Sequence, residues 1–340
     1  GVEQPDRSVY NLFQVYNEEI LWCSTNNSYS DQYKMEKRTN PRDVNSCYGT
    51  IGPSQDAVDM FFMANGLDID DPNSGYDETG FSAVENRCYD PDYKDKKTDQ
   101  NISNMYANRE PRFYASVVYQ GRSWFKKWMN SNPDYVVDFS AGGGNDLSNG
   151  DNVKGGYMLG KFKNRTVNHA SGDTQSWKRV SIIYRLAEFY LFYAEALNEI
   201  DPGNADIIKY IDIVRERAGI PGYQTMNDNG IKTGIIGNYD KQFDAIQHER
   251  YVELYCEGQR YFDIRRWMVC GDEGRIGCDQ TRFYGMNMKG SKDKAPGEPT
   301  SYYTRTKLEN RQWTDKLYLY PIHQNVIELS EGRIPQNYGW

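Results

Sequence analysis

The residues best suited to chemistry form a charged run near the carboxyl end of the chain, from Ile246 to Trp267. Its charges fall three and four positions apart, a spacing that lets neighbours on one helix form ion pairs. Large apolar groups interrupt the run, so we expect a partly buried network in which every charge is paired. The residues expected to be buried and mutually paired are Glu249, Arg250, Glu253 and Arg260.

Catalytic motifs are not assembled by this sequence. His248-Glu249 is not followed by a second histidine four positions after the first, so the metalloprotease helix is absent, and neither G-x-S-x-G nor a phosphate-binding P-loop occurs. The histidines at 169, 248 and 323 lie in unrelated contexts. With 48 acidic residues a glycosidase carboxylate pair stays open, but nothing singles one out. We therefore predict a protein that is not an enzyme and has no catalytic residues.

An acidic stretch from Asp68 to Asp77 is the nearest approach to a metal site. The spacing of Asp71, Asn73 and Asp77 imitates the first half of a calcium loop, but the sixth position lacks glycine and the twelfth, Ser82, lacks glutamate. A solvated acidic loop is the favoured interpretation. We predict no bound metal and no cofactor, with a calcium site left open.

Six cysteines show neither a C-x-x-C pair nor zinc-ligand spacing. Cys270 and Cys278 bracket a short loop, so a disulfide between them is sterically allowed, and the sequence leaves it undecided. Cys256 lies within the charged run, where we expect a buried free thiol.

The chain has 340 residues, a net charge of −8 and a mean hydropathy of −0.84. Its acidity argues against nucleic-acid binding, and no stretch has the roughly 18 apolar residues of a membrane span. Aromatic residues make up 14% of the chain, with 28 tyrosines. Because tyrosine is stiff and amphipathic, this content suits a surface that binds polar ligands, although a tyrosine-rich core would account for most of it.

The elements that must position these residues are mainly helical. Periodic apolar residues predict a helix from about 183 to 197 and another from 205 to 214, separated by a break at 201–204. Such a hairpin is typical of tetratricopeptide-like units, which bury their faces by stacking on neighbours. A helix is predicted over Gln55–Ala64 with Ser54 as its N-cap, and a strand over 113–119. The fold class predicted is mainly α, with helical hairpins and a loop-rich lobe that contains short strands.

Sugar binding needs exposed aromatic planes beside polar groups, because pyranose rings present apolar C–H faces together with hydroxyls. The loops of 67–135 and the stretch around residues 29–48 supply this mixture. For any single aromatic residue a scaffold role is the stronger alternative. The candidate ligand-binding residues are Tyr76, Phe81, Tyr89, Tyr93, Trp124, Trp128, Tyr33 and Tyr48. Trp267 and Trp313 are assigned to the core.

Several segments in order resemble the SusD/RagB family of Bacteroidetes surface glycan-binding lipoproteins. The charged run resembles the family's carboxyl-terminal signature, and the resemblance extends over essentially the whole chain. Two departures are His323 and Tyr338, where the family often has proline. The other matching segments are 53–66, 108–121, 185–196, 214–219, 319–322 and 335–340.

This resemblance implies a SusD-like fold and non-catalytic capture of an oligosaccharide or polysaccharide for nutrient uptake. The partner it implies is a SusC-like, TonB-dependent outer-membrane transporter, with the protein at the cell surface as a lipoprotein. Membrane contact would come only through an upstream lipid anchor. A peptide-capturing member of the same family is the alternative function, and glycoside hydrolysis is the third.

The resemblance also bears on domain organisation. It predicts one SusD-like region over 1–340 that lacks its amino-terminal repeats. Within it, 67–177 would form the loop-rich lobe and 178–270 the helical framework. Which glycan is bound, and what the amino-terminal part adds to the site, stay open.

Overall fold

Helices dominate the architecture of the described residues. The computed structural model describes residues 4–24, 29–42, 44, 47–90, 94–125, 132, 134–148, 150–166, 179–275 and 278–340, with the backbone alone for 29–33. Ten α-helices lie in this part of the chain: α1 (Pro5–Leu12), α2 (Tyr29–Thr39), α3 (Gln55–Asp59), α4 (Pro111–Ser116), α5 (Leu186–Ile200), α6 (Ala205–Arg217), α7 (Tyr223–Asp228), α8 (Tyr239–Glu253), α9 (Gln259–Arg266) and α10 (Gln324–Leu329).

The strands are short and pair only as antiparallel ribbons of two. They are β1 (Ile20–Ser24) with β6 (Ser181–Arg185), β2 (Phe81–Asn86) with β3 (Lys97–Ser103), β4 (Val117–Val118) with β5 (Met158–Leu159), and β7 (Tyr284–Met286) with β8 (Arg305–Lys307). This arrangement confirms the predicted class, mainly α with short strands. Among the described residues, no helix has the length and apolar character needed to cross a bilayer.

Helices α5 and α6 form the predicted hairpin. The Asn204 side chain caps α6 by accepting a hydrogen bond of 3.0 Å from the backbone N–H of Asp206, which fixes the turn. Helix α8 packs against both helices. The apolar core between them includes Leu191, Ile211 and Ile246, all buried. The hairpin therefore buries its face by stacking on a neighbour, as predicted for such a unit, and that neighbour is α8.

Two local predictions were wrong in extent or type. The helix after Ser54 ends at Asp59 rather than Ala64, although Ser54 does cap it. Residues 111–116 are helical, with Pro111 in the first turn, and only Val117–Val118 pair as a strand. Proline favours the first turn of a helix, and this signal outweighed the β-branched residues that follow.

The charged run is two helices, not one. Helix α8 ends at Glu253 and α9 begins at Gln259. The residues between them include Cys256 and Gly258, at φ of 60° and 92°, and this left-handed backbone cannot continue an α-helix. Cys256 is consequently exposed, which corrects its prediction as a buried thiol, while Cys270 and Cys278 are buried free thiols.

Much of the aromatic content lies in a second core. Tyr106, Tyr119, Tyr157 and Tyr302 are fully buried there. Three of the hydroxyl groups make hydrogen bonds in the interior: those of Tyr106 and Tyr157 are 2.9 Å apart, and that of Tyr302 donates to the carbonyl of Gly156. The alternative of a tyrosine-rich core therefore holds for these residues.

Candidate ligand-binding cleft

A buried network of ion pairs holds α8 in place. Glu249 lies 2.5 Å from Arg112 and 3.3 Å from Arg215, and Glu253 lies 2.9 Å from Arg112 and 2.6 Å from Arg185. All five side chains are buried. Because an unpaired charge in the interior would be strongly destabilising, these contacts fix α8 against α4, α6 and the end of β6.

The partners of α8 come from other elements rather than from its own helix. Arg250 makes two contacts of 2.9 Å with Asp263 of α9, so this pair bridges the break between the two helices. Arg260 is half-buried, its guanidinium lies 4.6 Å from the ring centroid of Tyr251, and its Nη2 lies 3.6 Å from the Sγ of Cys278. Burial alone would raise the pKa of Glu253, but the positive charges of Arg217, Arg185 and Arg112 outweigh burial and hold that pKa well below its usual range.

One face of the helix anchored in this way lines a cleft of about 530 Å³. Asp244, Gln247 and His248 stand at positions i, i+3 and i+4 and therefore project on the same side of α8. The acidic loop 68–72 also lines the cleft, together with Arg260 and Arg275. We call this cavity the loop–α8 cleft.

His248 links α8 to the acidic loop. Its Nδ1 lies 3.0 Å from a carboxylate oxygen of Asp68, and its Nε2 lies 2.6 Å from the carbonyl of Met60. Burial alone would lower the pKa of His248, but the carboxylate of Asp68 and the Met60 carbonyl outweigh it and raise the pKa. Both ring nitrogens face acceptor oxygens, which favours the doubly protonated ring.

The acidic loop is held by cations of the protein itself. The Lys232 ammonium lies 3.0 Å from Asp68 and 3.1 Å from Asp71, while Asp71 also accepts a hydrogen bond from the backbone N–H of Asn73. Burial would raise the pKa of Asp68, yet His248 and Lys232 together lower it. Of the positions in the calcium-like spacing, Asp71 is thus paired with a lysine of the protein. Within the described residues no group of three or more side chains is arranged to hold a metal.

Gln247 gives the cleft a hydrogen-bond donor with no acceptor. The side chain is 4% exposed. Its Oε1 accepts from Arg275, whereas its Nε2 has no partner among the described residues. A buried amide N–H without an acceptor costs free energy, which a ligand oxygen would recover. With Asp70 and Asp244 exposed nearby, the cleft can both donate to and accept from a polyhydroxylated ligand.

One of the predicted aromatic residues, Tyr76, is linked to this cleft through Glu78 and Arg305. Tyr76 is half-buried and donates from its hydroxyl to Glu78 at 2.8 Å. Glu78 and Asp59, a residue of the cleft wall, share the guanidinium of Arg305. Phe81 is also half-buried and packs edge-on against Tyr303, with ring centroids 5.4 Å apart. Their contact with a ligand stays a prediction.

Trp124 is not a surface residue. It is 0% exposed and stacks on Phe125 at 4.3 Å. Its backbone N–H donates to the carbonyl of Tyr135, which draws the segment into the aromatic core, so the prediction that Trp124 stacks on a ligand was wrong. Tyr89 is also buried, with the Lys97 ammonium 5.3 Å from its ring centroid, and it too cannot present an open face.

The remaining candidates are separate from the cleft or outside the described residues. Tyr48 is exposed, and its ring centroid lies 5.9 Å from the Lys37 ammonium. Tyr93, Trp128 and the side chain of Tyr33 lie outside the described part of the chain. Trp267 and Trp313 are half-buried, which corrects their assignment to the core, and Trp267 donates to Glu195 from its ring N–H.

The residues missed from sequence are Gln247 and His248. Their spacing with Asp244 on the side of α8 opposite the ion network was the available signal. No catalytic motif marks these residues, because no second histidine follows His248 at metal-ligand spacing. The pattern that indicates such a face is a polar stripe on one side of a helix whose other side is anchored.

Comparisons with known proteins agree on one family. A model of the SusD family matches residues 18–340. SusD-like protein P2 of Formosa agariphila is 39% identical over 82 residues, which are 24% of this chain and 16% of that protein. SusD-like protein P25 of the same organism is 34% identical over 116 residues, 34% of this chain and 20% of that protein. The crystal structure of a SusD-like protein from Bacteroides fragilis superposes with a TM-score of 0.71 at 26% identity, over 100% of this chain and 58% of that one.

Proposed function

The chain belongs to the SusD family, and from this premise we propose that it captures oligosaccharides by non-covalent binding in the loop–α8 cleft. The observation that carries the proposal is the buried Nε2 of Gln247, a donor without an acceptor in the wall of an open cavity. Sugar hydroxyls accept such hydrogen bonds, and the carboxylates of Asp70 and Asp244 accept hydrogen bonds in return.

We propose further that the ligand is handed on intact. Family membership supports delivery to a SusC-like, TonB-dependent transporter at the outer-membrane surface, with the protein held there as a lipoprotein. Capture without turnover fits this task, because hydrolysis beside a transporter would shorten its cargo. The ion pairs that tie Asp68 and Asp71 to Lys232 and His248 support a binding role for the acidic loop rather than an acid–base role.

A calorimetric titration with defined ligands tests this proposal. The panel contains neutral hexasaccharides with α-1,4-glucan, β-1,4-glucan, β-1,4-mannan and β-1,4-xylan backbones, and neutral hexapeptides for comparison. We expect at least one hexasaccharide to bind with a Kd between about 1 μM and 1 mM, roughly −8 to −4 kcal/mol. Binding of the peptides alone would instead establish the peptide-capturing alternative.

The absence of turnover is tested on the same samples. After a day with the bound hexasaccharide, the protein should release no more reducing ends than a heat-denatured control. Release that follows the protein through purification and is lost in Asp70→Asn or Asp244→Asn would replace the capture proposal with glycoside hydrolysis.

A further inference from the structure

A second and larger cavity lies at the opposite end of α3. The loop–α8 cleft includes Asp59 at the end of α3, whereas the second cavity includes the N-cap residue Ser54, about 8 Å away along the helix. It has a volume of about 720 Å³. Three lysines line it, Lys154, Lys289 and Lys307, and we call it the lysine cleft.

The floor of the lysine cleft is rigid because backbone segments cross there in direct contact. A Cβ atom added to Gly52 would lie 1.8 Å from the carbonyl oxygen of Tyr157, and one added to Gly285 would lie 2.6 Å from the Cα of Gly155. Only glycine fits such crossings. The N–H of Met286 donates to the carbonyl of Gly155 at 3.0 Å, which ties the segment of Lys154 to that of Lys289.

The third lysine is fixed to the same frame. Lys307 pairs with Tyr284 in the β7–β8 ribbon, and the N–H of Leu308 donates to the carbonyl of Phe283 at 2.8 Å. The N–H of Tyr284 also donates to Asp56 of α3 at 2.8 Å. The three ammonium groups therefore stand on backbone segments that hydrogen bonds and close contacts hold at fixed separations.

The lysine cleft is positively charged, whereas the whole chain has a negative net charge. Lys154, Lys289 and Lys307 make no ion pair within the described structure, and Glu309 is the one carboxylate among the described lining residues. The cleft thus carries an excess of two positive charges in a chain whose net charge is −8. Elsewhere Lys232 and Lys292 are paired with aspartates, so unpaired lysines around a cavity are a local feature.

From this geometry we infer that the lysine cleft binds the carboxylate or sulfate groups of an acidic oligosaccharide. An ammonium group is a point charge with three donors, suited to either anion. The ring of Phe283 and the hydroxyl groups of Thr50 and Thr306 line the same cavity, which supplies apolar and polar contacts for the sugar itself. The inference rests on the proposed capture of sugars and adds the chemical class of one ligand.

The test compares acidic and neutral probes at two salt concentrations. Tetragalacturonate supplies carboxylates, a κ-carrageenan hexasaccharide supplies sulfates, and cellotetraose supplies neither. We expect at least one acidic probe to bind more tightly than cellotetraose. Its affinity should fall as NaCl is raised from roughly 20 mM to 300 mM, because salt screens exposed charges. A preference for one of the two acidic probes would identify the anion.

Charge-neutralised variants locate this binding. The first triple variant should bind the acidic probe about tenfold more weakly, because it loses three exposed contacts. Its substitutions are Lys154→Gln, Lys289→Gln and Lys307→Gln. The matched control combines Lys96→Gln, Lys209→Gln and Lys241→Gln, which removes the same charge from exposed positions elsewhere and should leave the affinity within twofold. Both proteins are checked for an unchanged melting temperature.

Three results would overturn the inference. They are an equal loss of affinity for the acidic probe in both triple variants, no loss of affinity in the first variant, or a hexaglutamate peptide that binds as tightly as tetragalacturonate. If neutral hexasaccharides still bind in any of these cases, the proposed function survives and only the acidic specificity fails. If no saccharide of either kind binds, the proposed function fails as well.

Discussion

At the scale of the residue, His248 shows how a side chain with no motif around it acquires a role from packing. Its ring stacks on Phe62 with centroids 4.2 Å apart, and its two nitrogens face Asp68 and Met60. Sequence could place His248 on α8, but it could not reveal these partners, because Asp68 is 180 positions away. The pair fixes the acidic loop to the helix and so shapes the loop–α8 cleft.

The raised pKa of His248 predicts a pH-dependent stability. A group whose pKa is higher in the folded state stabilises the fold fully below its unfolded pKa, about 6.5, and loses this contribution as the pH rises through the folded value. Denaturant titrations of wild type and His248→Gln between about pH 5 and pH 9 should therefore show the largest difference in unfolding free energy at the acid end. A difference that is constant or grows with pH would refute the assigned pairing.

The buried ion network predicts a large cost for losing one cation. Arg112→Met leaves Glu110, Glu249 and Glu253 without their shared partner and should destabilise the fold by about 3–5 kcal/mol. The same substitution at Arg87, whose pair with Glu85 is exposed, should cost no more than about 1 kcal/mol. Urea unfolding of both variants measures the contrast, and equal costs would show that the network is not the stabilising element described.

Candidate site residues were the least predictable part of the molecule. Aromatic type alone could not separate Trp124, which the core surrounds, from Tyr48, which is exposed. Exposure depends on partners distant in sequence, such as Tyr135 for Trp124. The acidic loop was recognised from its spacing, yet the lysine and histidine that bind its carboxylates lie more than 150 residues away.

At the scale of the element, the break between α8 and α9 was the main feature that periodicity concealed. Charges three and four positions apart continue through Glu257, but the backbone does not, since Gly258 has a φ of 92°. Arg250 and Asp263 then pair across the break, which orients Arg260 of α9 toward the cleft. Gly258 was the available signal of a helix break, but the prediction of one continuous helix followed the dense pattern of charges.

This break makes a specific prediction for Gly258→Ala. An L-residue is strained in the left-handed region, so we expect a destabilisation of about 1–2 kcal/mol although the added Cβ meets no atom within 4 Å. Gly203→Ala, in the turn between α5 and α6, meets only Asp201 at 3.6 Å and should change stability by no more than about 0.5 kcal/mol. Equal effects in chemical denaturation would mean that the backbone at 258 is not left-handed.

At the scale of the whole molecule, ordered motifs predicted more than any local pattern did. The helical hairpin of α5 and α6 and its need for a neighbour to cover its face were predicted correctly, because amphipathic helices have few ways to bury their faces. The loop-rich part depends on close backbone crossings such as Gly285 against Gly155, which composition does not reveal. Division of the chain into a lobe and a framework stays a prediction.

Charge at this scale is unevenly distributed. A chain with net charge −8 places three lysines without ion pairs around one cavity and an acidic loop around another, at the two ends of a five-residue helix. Binding at the lysine cleft should therefore depend on salt, whereas binding of neutral sugars at the loop–α8 cleft should not. The two cavities are separable by this criterion alone.

The central claim, that the loop–α8 cleft holds the sugar, is tested most directly by the affinity of Gln247→Leu. This change removes the unpartnered amide donor, together with the oxygen that accepts from Arg275, at similar volume, while Gln224→Leu makes the same substitution at an exposed position of α7. Titrated with the hexasaccharide that wild type binds most tightly, Gln247→Leu should bind at least about tenfold more weakly, a loss of roughly 1.4 kcal/mol, and Gln224→Leu should match wild type. Equal affinity of the two folded variants for that hexasaccharide would contradict the account.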